Sequence, residues 1–210
     1  LYLRNKKITL FTVLLMLYLL VHEQWQTICL RNPILKILIK YSLLFALAFS
    51  SLSFQQQQNF DPNAKVKAVT LYNFTRYFEW PEKMKSGNFI IHIIGTNNSL
   101  SNELNKMATS KQVGNQKLEI KSSPSLDATI KPHIIFLLNE SSDMLKDISA
   151  KFKGKGALIV TEKGGLAKSG SAINFVAIES KLKFEYSKTN AVKAGLKTSE
   201  ELKSLAIAVD

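Results

Sequence analysis

The sequence predicts an α/β domain: a mixed β-sheet of about six strands sandwiched by helices, one domain behind an N-terminal hydrophobic segment. Three observations predict it. Short apolar runs with branched side chains, such as Phe89–Ile94 and Ile134–Leu138, read as buried strands. They alternate with stretches whose apolar residues recur at helical spacing. The last two strand-like runs are joined by only a tight turn, so they must be antiparallel.

Taken in order, Asp61-Pro62 marks a helix start, with Asp as N-cap and Pro where its missing N–H costs nothing. The helix is predicted to run to about Glu79, because Trp80 precedes Pro81 and is pushed out of helical geometry. At 100° per residue, Ala64, Ala68, Leu71, Phe74, Thr75 and Phe78 share one face, and Tyr72, Tyr77 and Trp80 fall outside it. Phe89–Ile94 is then a central strand, Ser99–Ala108 a short helix and Lys117–Lys121 a strand. His133–Leu138 is a buried strand, Ser142–Phe152 a helix stopped near Gly154, and Ala157–Thr161 another strand. Ala172–Ile178 and Leu182–Tyr186 form the hairpin, turning near Ser180. Asn190–Ala194 starts a helix that Gly195 interrupts. The capping box Thr198-Ser199-Glu200-Glu201 launches a closing helix with Leu202, Leu205, Ala206 and Val209 on one face.

The N-terminal part is different. Ile8–Val21 and Tyr41–Phe54 are two uncharged, mostly apolar runs of 14, each behind basic residues. A bilayer-spanning helix needs about 20 apolar residues, so runs of this length fit a signal-peptide core better. Small residues at Ser50-Ser51-Leu52-Ser53 offer a cleavage site, and Gln55–Gln58 resembles the polar start of a mature chain. The expectation is export, with Ile34–Ser53 as signal peptide and the segment before it an over-extended start. The alternative is a membrane anchor. The division is therefore residues 1–54 as hydrophobic segments, 55–63 as linker and 64–210 as the folded domain.

Charge and chemistry narrow the function. Residues 1–53 hold six basic residues against one acid, which leaves +7 of the net +12 for the rest. Of the basic residues after position 53, only Arg76 is an arginine, and the lysines are scattered, so nucleic acid is not expected as a partner. The size excludes a multidomain enzyme and a polytopic transporter. The one cysteine, Cys29, lies upstream of the domain, which excludes a disulfide framework and a cysteine nucleophile within it. His92 and His133 could lie on neighbouring strands, but two ligands without a carboxylate are too few for a metal site. The Gly164-Gly165…Gly170 spacing matches neither a P-loop nor a dinucleotide fingerprint and reads as turn geometry. Ser141-Ser142 reads as a helix cap. No catalytic residue, metal or cofactor is expected.

The remaining signal is an aromatic and charged cluster at the end of the first helix: Tyr72, Arg76, Tyr77, Glu79 and Trp80. Aromatics and arginine dominate binding hot spots, so this cluster is the first candidate surface for a partner or ligand. The plainer alternative is that Tyr77 and Trp80 seal the sheet edge. Phe184 and Glu185, on the hairpin, are a second candidate surface.

The run Lys67-Ala68-Val69-Thr70-Leu71-Tyr72-Asn73-Phe74-Thr75-Arg76-Tyr77-Phe78-Glu79-Trp80-Pro81 resembles the opening signature of the YfiR family, K-A-x-x-L-Y-N-F-x-x-x-x-E-W-P. The resemblance continues through Phe89–Gly95, Ile134–Leu138, Leu158-Ile159-Val160-Thr161, Gly170, Ile173-Asn174-Phe175, Leu182–Tyr186 and Ala191–Ser199. It implies a periplasmic regulator without enzymatic activity. The best-known members restrain a membrane-bound diguanylate cyclase by binding its periplasmic part, and an outer-membrane partner can sequester them. The implied partner here is the periplasmic domain of a membrane-bound cyclase or kinase, with an outer-membrane partner, a small-molecule ligand and a homodimer as further associations. Redox control does not carry over, because this domain lacks the family's cysteines. Two other readings stand beside it: a small periplasmic hydrolase or transferase on an α/β scaffold, and a structural protein anchored by residues 8–54.

Overall fold

A computed structural model describes residues 61–209, Asn97 apart. The two apolar runs, the expected cleavage site, Cys29 and most of the expected linker lie outside the described residues.

The first helix, α1 (Ala64–Tyr77), is followed by β1 (Phe78–Glu79), β2 (Phe89–Ile94), α2 (Asn98–Ala108), β3 (Gln112–Val113), β4 (Gln116–Ser123) and β5 (Ile134–Leu137). A 3-10 segment (Asn139–Met144) leads into α3 (Leu145–Lys151), then β6 (Leu158–Thr161) and a 3-10 turn (Leu166–Ser169). The chain closes with β7 (Ile173–Ile178), β8 (Lys181–Tyr186), α4 (Lys188–Ala194), β9 (Lys197–Thr198), α5 (Glu200–Leu205) and β10 (Ile207–Ala208). Eight strands form one mixed sheet in the order β10-β8-β7-β6-β5-β2-β4-β3, and β1 pairs with β9 in a separate two-stranded ladder. The core β4-β2-β5-β6-β7 is parallel, with antiparallel pairs β7-β8 and β3-β4.

The alternation of each strand divides its side chains between two layers. Phe89, Ile91 and Ile93 of β2 join Phe136, Val160 and Phe175 beneath Leu71 and Phe74 of α1 and Leu104 of α2. Ile94, Ile135, Leu137 and Ile159 face the other way, onto Leu145, Ile148 and Phe152. The predicted α/β sandwich is therefore present, with two more strands in the sheet than expected. The additions, β3 and β10, are two-residue edges too short to leave a periodic signature.

Helix boundaries depart from the sequence reading. Ser141-Ser142 do not cap α3: they lie buried inside the 3-10 segment, where the Ser142 hydroxyl donates to the Asn139 carbonyl, and α3 starts at Leu145. α4 starts at Lys188, capped by Ser187, two residues before Asn190. Asp61 does not cap α1: its Oδ1 accepts from the Asn63 N–H at 2.9 Å, and the helix starts at Ala64. The helix also stops at Tyr77, two residues early, because Phe78–Glu79 pairs with Lys197–Thr198. At the other terminus, Ser199 caps α5 through the Leu202 N–H, but the helix ends at Leu205. Ile207 and Ala208 pair with Glu185 and Tyr186 instead, so Leu205, Ala206 and Val209 do not form the expected apolar face.

Candidate functional site

Because α1 ends at Tyr77, the helical count no longer applies to Trp80. The chain is extended there, and with period 2 Phe78 and Trp80 fall on one side while Glu79 points out. Trp80 was expected at the surface and is instead part of the core, at 7% exposure. Its indole packs edge-on to Phe89, with centroids 5.0 Å apart, and against Phe78 at 6.2 Å. The Trp80 Nε1–H donates to the His133 carbonyl at 3.1 Å, which satisfies the one polar atom the indole buries.

The residues around it make a hollow of about 360 Å³ between the end of α1 and the β3–β4 turn. Phe78, Trp80 and Phe89 line it, and Glu79, Lys85 and Gln116 add polar groups. Tyr72 is half-buried and donates its hydroxyl to the Gln112 carbonyl at 2.9 Å, which ties α1 to β3. Arg76, one helical turn on, is exposed and makes no ion pair among the described residues. Tyr77 is half-buried, and its carbonyl accepts from the Ser199 N–H at 2.8 Å. Glu79 is exposed and 3.8 Å from Lys197 Nζ.

Tyr72, Arg76, Tyr77 and Glu79 thus follow one another along the end of α1 and β1, Arg76 and Glu79 exposed and the two tyrosines half-buried; of the four only Glu79 lines the hollow, in which Trp80 is buried. Phe184 and Glu185 do not form one surface. Phe184 faces α1, edge-on to Phe74 at 5.2 Å. Glu185 faces the opposite layer and accepts from Asn174 Nδ2 at 2.8 Å. The fully buried Asn174 in turn accepts from Thr161 Oγ1 at 2.7 Å, and that hydroxyl lies 2.9 Å from Ser171 Oγ.

The two histidines serve separate local networks. His133 Nδ1 accepts from the Ile90 N–H at 3.1 Å, so Nε2 carries the proton and donates to the Met84 carbonyl at 2.6 Å. Its ring stacks on Phe89 at 4.3 Å. Burial pushes its pKa down, against the bond to Met84. His92 lies on the other layer, with Nε2 2.7 Å from Ser123 Oγ. The Ser123 hydroxyl donates to the Ser125 carbonyl at 2.5 Å, so the His92 Nε2–H is the donor, and His92 Nδ1 is buried without a partner. Burial lowers this pKa too, opposed by Asp127.

Sequence reasoning missed one ionic site. Lys67, the first residue of the signature run, is buried on α1 and bonds Asp61 at 2.6 Å and Glu162 at 2.5 Å. Glu162 follows β6 and also accepts from the Asn139 N–H at 3.0 Å, so three segments meet at the carboxyl edge of the parallel strands. Burial opposes the lysine's charge, but the two carboxylates outweigh it and hold the Lys67 pKa above the ordinary lysine value. A lysine on the apolar stripe between Ala64 and Leu71 was the available signal.

A mixed sheet with helices on both layers, a buried signature lysine and an aromatic hollow define the domain as one of the α/β class. The model of the YfiR/HmsC-like family matches residues 64–207, and the chain belongs to that family. It is a family of periplasmic, non-catalytic regulators, and a periplasmic regulatory role in general extends to this chain. No curated protein matches the sequence. Among the described residues, no helix is long and apolar enough to cross a membrane.

Proposed function

We propose that the protein binds and modulates the periplasmic part of a membrane-bound signalling protein, a cyclase or kinase, and does so without catalysing a reaction. The observation that carries this reading is the rim at the end of α1. Arg76 is exposed in the last turn of α1 and unpaired among the described residues, close in sequence to the half-buried Tyr72 and Tyr77 and to the exposed Glu79, which lines the aromatic hollow. An exposed arginine flanked by half-buried tyrosines is the composition of a protein-binding hot spot. An outer-membrane partner would compete for the chain, and the mature protein would begin between Ser51 and Gln55, as intact-mass measurement of periplasmic material would show.

The test is site-specific photo-crosslinking in cells, with the reactive group placed in turn at Arg76, Tyr72, Glu79 and, as a remote control, Lys131. Adducts to an inner-membrane protein are expected from the first three positions and not from Lys131. Adducts from Lys131 alone would move the interface away from α1.

A further inference from the structure

A second opening lies between α3, the 3-10 turn Leu166–Ser169 and α4, with a volume of about 440 Å³. Lys146 and Lys153 rise from one wall, seven residues apart on the same face of α3 and its continuation. Lys168 stands on the turn and Lys193 on α4. Phe152 and Ile159, both buried, supply an apolar lining, and no carboxylate lines the opening.

Some lysines elsewhere in the domain are neutralised, while others, such as Lys65, Lys83, Lys117 and Lys131, make no ion pair among the described residues. Lys67, Lys85, Lys106, Lys121 and Lys203 each hold a carboxylate within 2.6 Å. None of the four cleft lysines has an ion pair among the described residues. Like charges converging on a partly enclosed, low-dielectric hollow repel one another and focus a positive potential into it.

The walls are fixed before anything binds. Asn190 Nδ2 donates to the carbonyls of Ala167 at 2.8 Å and Ser171 at 3.0 Å, which fastens α4 to the turn. The Gly154 N–H donates to the Lys193 carbonyl at 2.9 Å, which fastens the end of α4 to the segment after α3. Gly170, at φ +129°, passes so close to α3 that a Cβ there would sit 3.3 Å from Ser149 Oγ. Such bracing lowers the ordering cost of binding.

We propose that this cleft binds a small phosphate-bearing organic anion, its charge met by Lys146, Lys153, Lys168 and Lys193 and its apolar part by Phe152 and Ile159. Lysine suits phosphate as a mobile point charge, and the volume is within the range of small-molecule sites. The phosphate could belong to a soluble compound or to the headgroup of an anionic lipid. The site is separate from the α1 rim and does not depend on the partner reading.

The experiment titrates the purified protein with pyrophosphate, and in a parallel arm with phosphatidylglycerol or phosphatidylcholine vesicles. Binding to pyrophosphate would identify a soluble ligand, and selective capture by phosphatidylglycerol a lipid headgroup. In either case Lys153→Gln with Lys193→Gln should weaken binding at least about tenfold. The pair Lys83→Gln with Lys117→Gln removes the same charge elsewhere and should leave binding unchanged. Amide shifts on the unmodified protein should centre on Ser149, Gly170 and Asn190, which tests the location without any variant. Failure of both probes to bind, shifts centred elsewhere, or equal weakening in the control pair would overturn the proposal.

Discussion

The two ends of α1 reach opposite edges of the parallel strands and are held by opposite chemistry. At its start, Lys67 is locked between Asp61 and Glu162 at the carboxyl edge, with its charge fully spoken for. At its end, Phe78 and Trp80 anchor the chain by aromatic packing near the start of β5, and Arg76, the only arginine of the described residues, stays exposed and unpaired among them in the last helical turn. Ion pairs fix the first end in orientation, while aromatic packing at the second holds the chain without using the Arg76 charge. A helix tethered in this way can present one terminus to another molecule without loosening the other.

The sharpest way to break this comparison is to empty the aromatic end. Phe78→Ala and Trp80→Ala should each cost about 3–5 kcal/mol, the range for truncating a buried aromatic side chain. Trp80→Ala also strands the His133 carbonyl that its indole satisfies. Chemical denaturation of each variant checks this. A Trp80→Ala protein as stable as the parent would mean that the indole is a surface group after all.

At the opposite end, Lys67→Ala should cost about 3 kcal/mol, because it leaves two half-enclosed carboxylates facing each other without their cation. Lys67→Met with Asp61→Asn and Glu162→Gln should recover much of that loss, since the charges then go together. If the triple variant is as unstable as Lys67→Ala, the site contributes through shape rather than charge.

How much of this was legible follows from the range over which each signal acts. The buried strand Phe89–Ile94 is announced by its own composition and appears with those bounds. The hairpin is announced by the shortness of its turn, though Glu179 and Ser180 take positive φ, at 50° and 61°, without a glycine to signal it. Trp80 was misread because its burial depends on β9, more than a hundred residues later, ending the helix at Tyr77. The Lys67 site depends on Glu162 in the same way, and the cleft lysines come from three segments that only the fold assembles. The YfiR-like run was legible because it is contiguous, and it covers both ends of the helix that the fold uses.

A smaller effect separates the aromatic end from a merely hydrophobic one. His92 and His133 both have pKa values lowered by burial, so the unfolded chain takes up protons near pH 6.5 before the folded one does. Their contribution to stability is complete above about pH 6.5 and is lost as the pH falls towards the folded pKa values, by at most about 1.4 kcal/mol per pH unit from each. Denaturation between pH 7 and pH 5 should show this slope, ahead of the carboxylates. His133→Asn should flatten it, and an unchanged slope would assign the effect elsewhere.

The smallest expected change in stability belongs to Arg76, and it is the most informative about function. Arg76→Ala removes an exposed side chain from the last turn of α1 and breaks no ion pair among the described residues. Its cost should stay within about 0.5 kcal/mol, as for other surface sites. Tyr72→Phe loses the bond to the Gln112 carbonyl and should cost about 0.5–1.5 kcal/mol. If the rim is an interface, Arg76→Glu should reduce recovery of the membrane partner at least about tenfold, since a reversed charge inside a contact repels what the native charge attracts. The melting curve of that variant must overlay the parent's, so that loss of the partner cannot be ascribed to loss of fold. Lys131→Glu, with the same charge change at another exposed position, should leave recovery intact. Equal recovery for Arg76→Glu and the parent would remove the rim as an interface, leaving α1 as a packing element whose two ends differ only in how they are fastened.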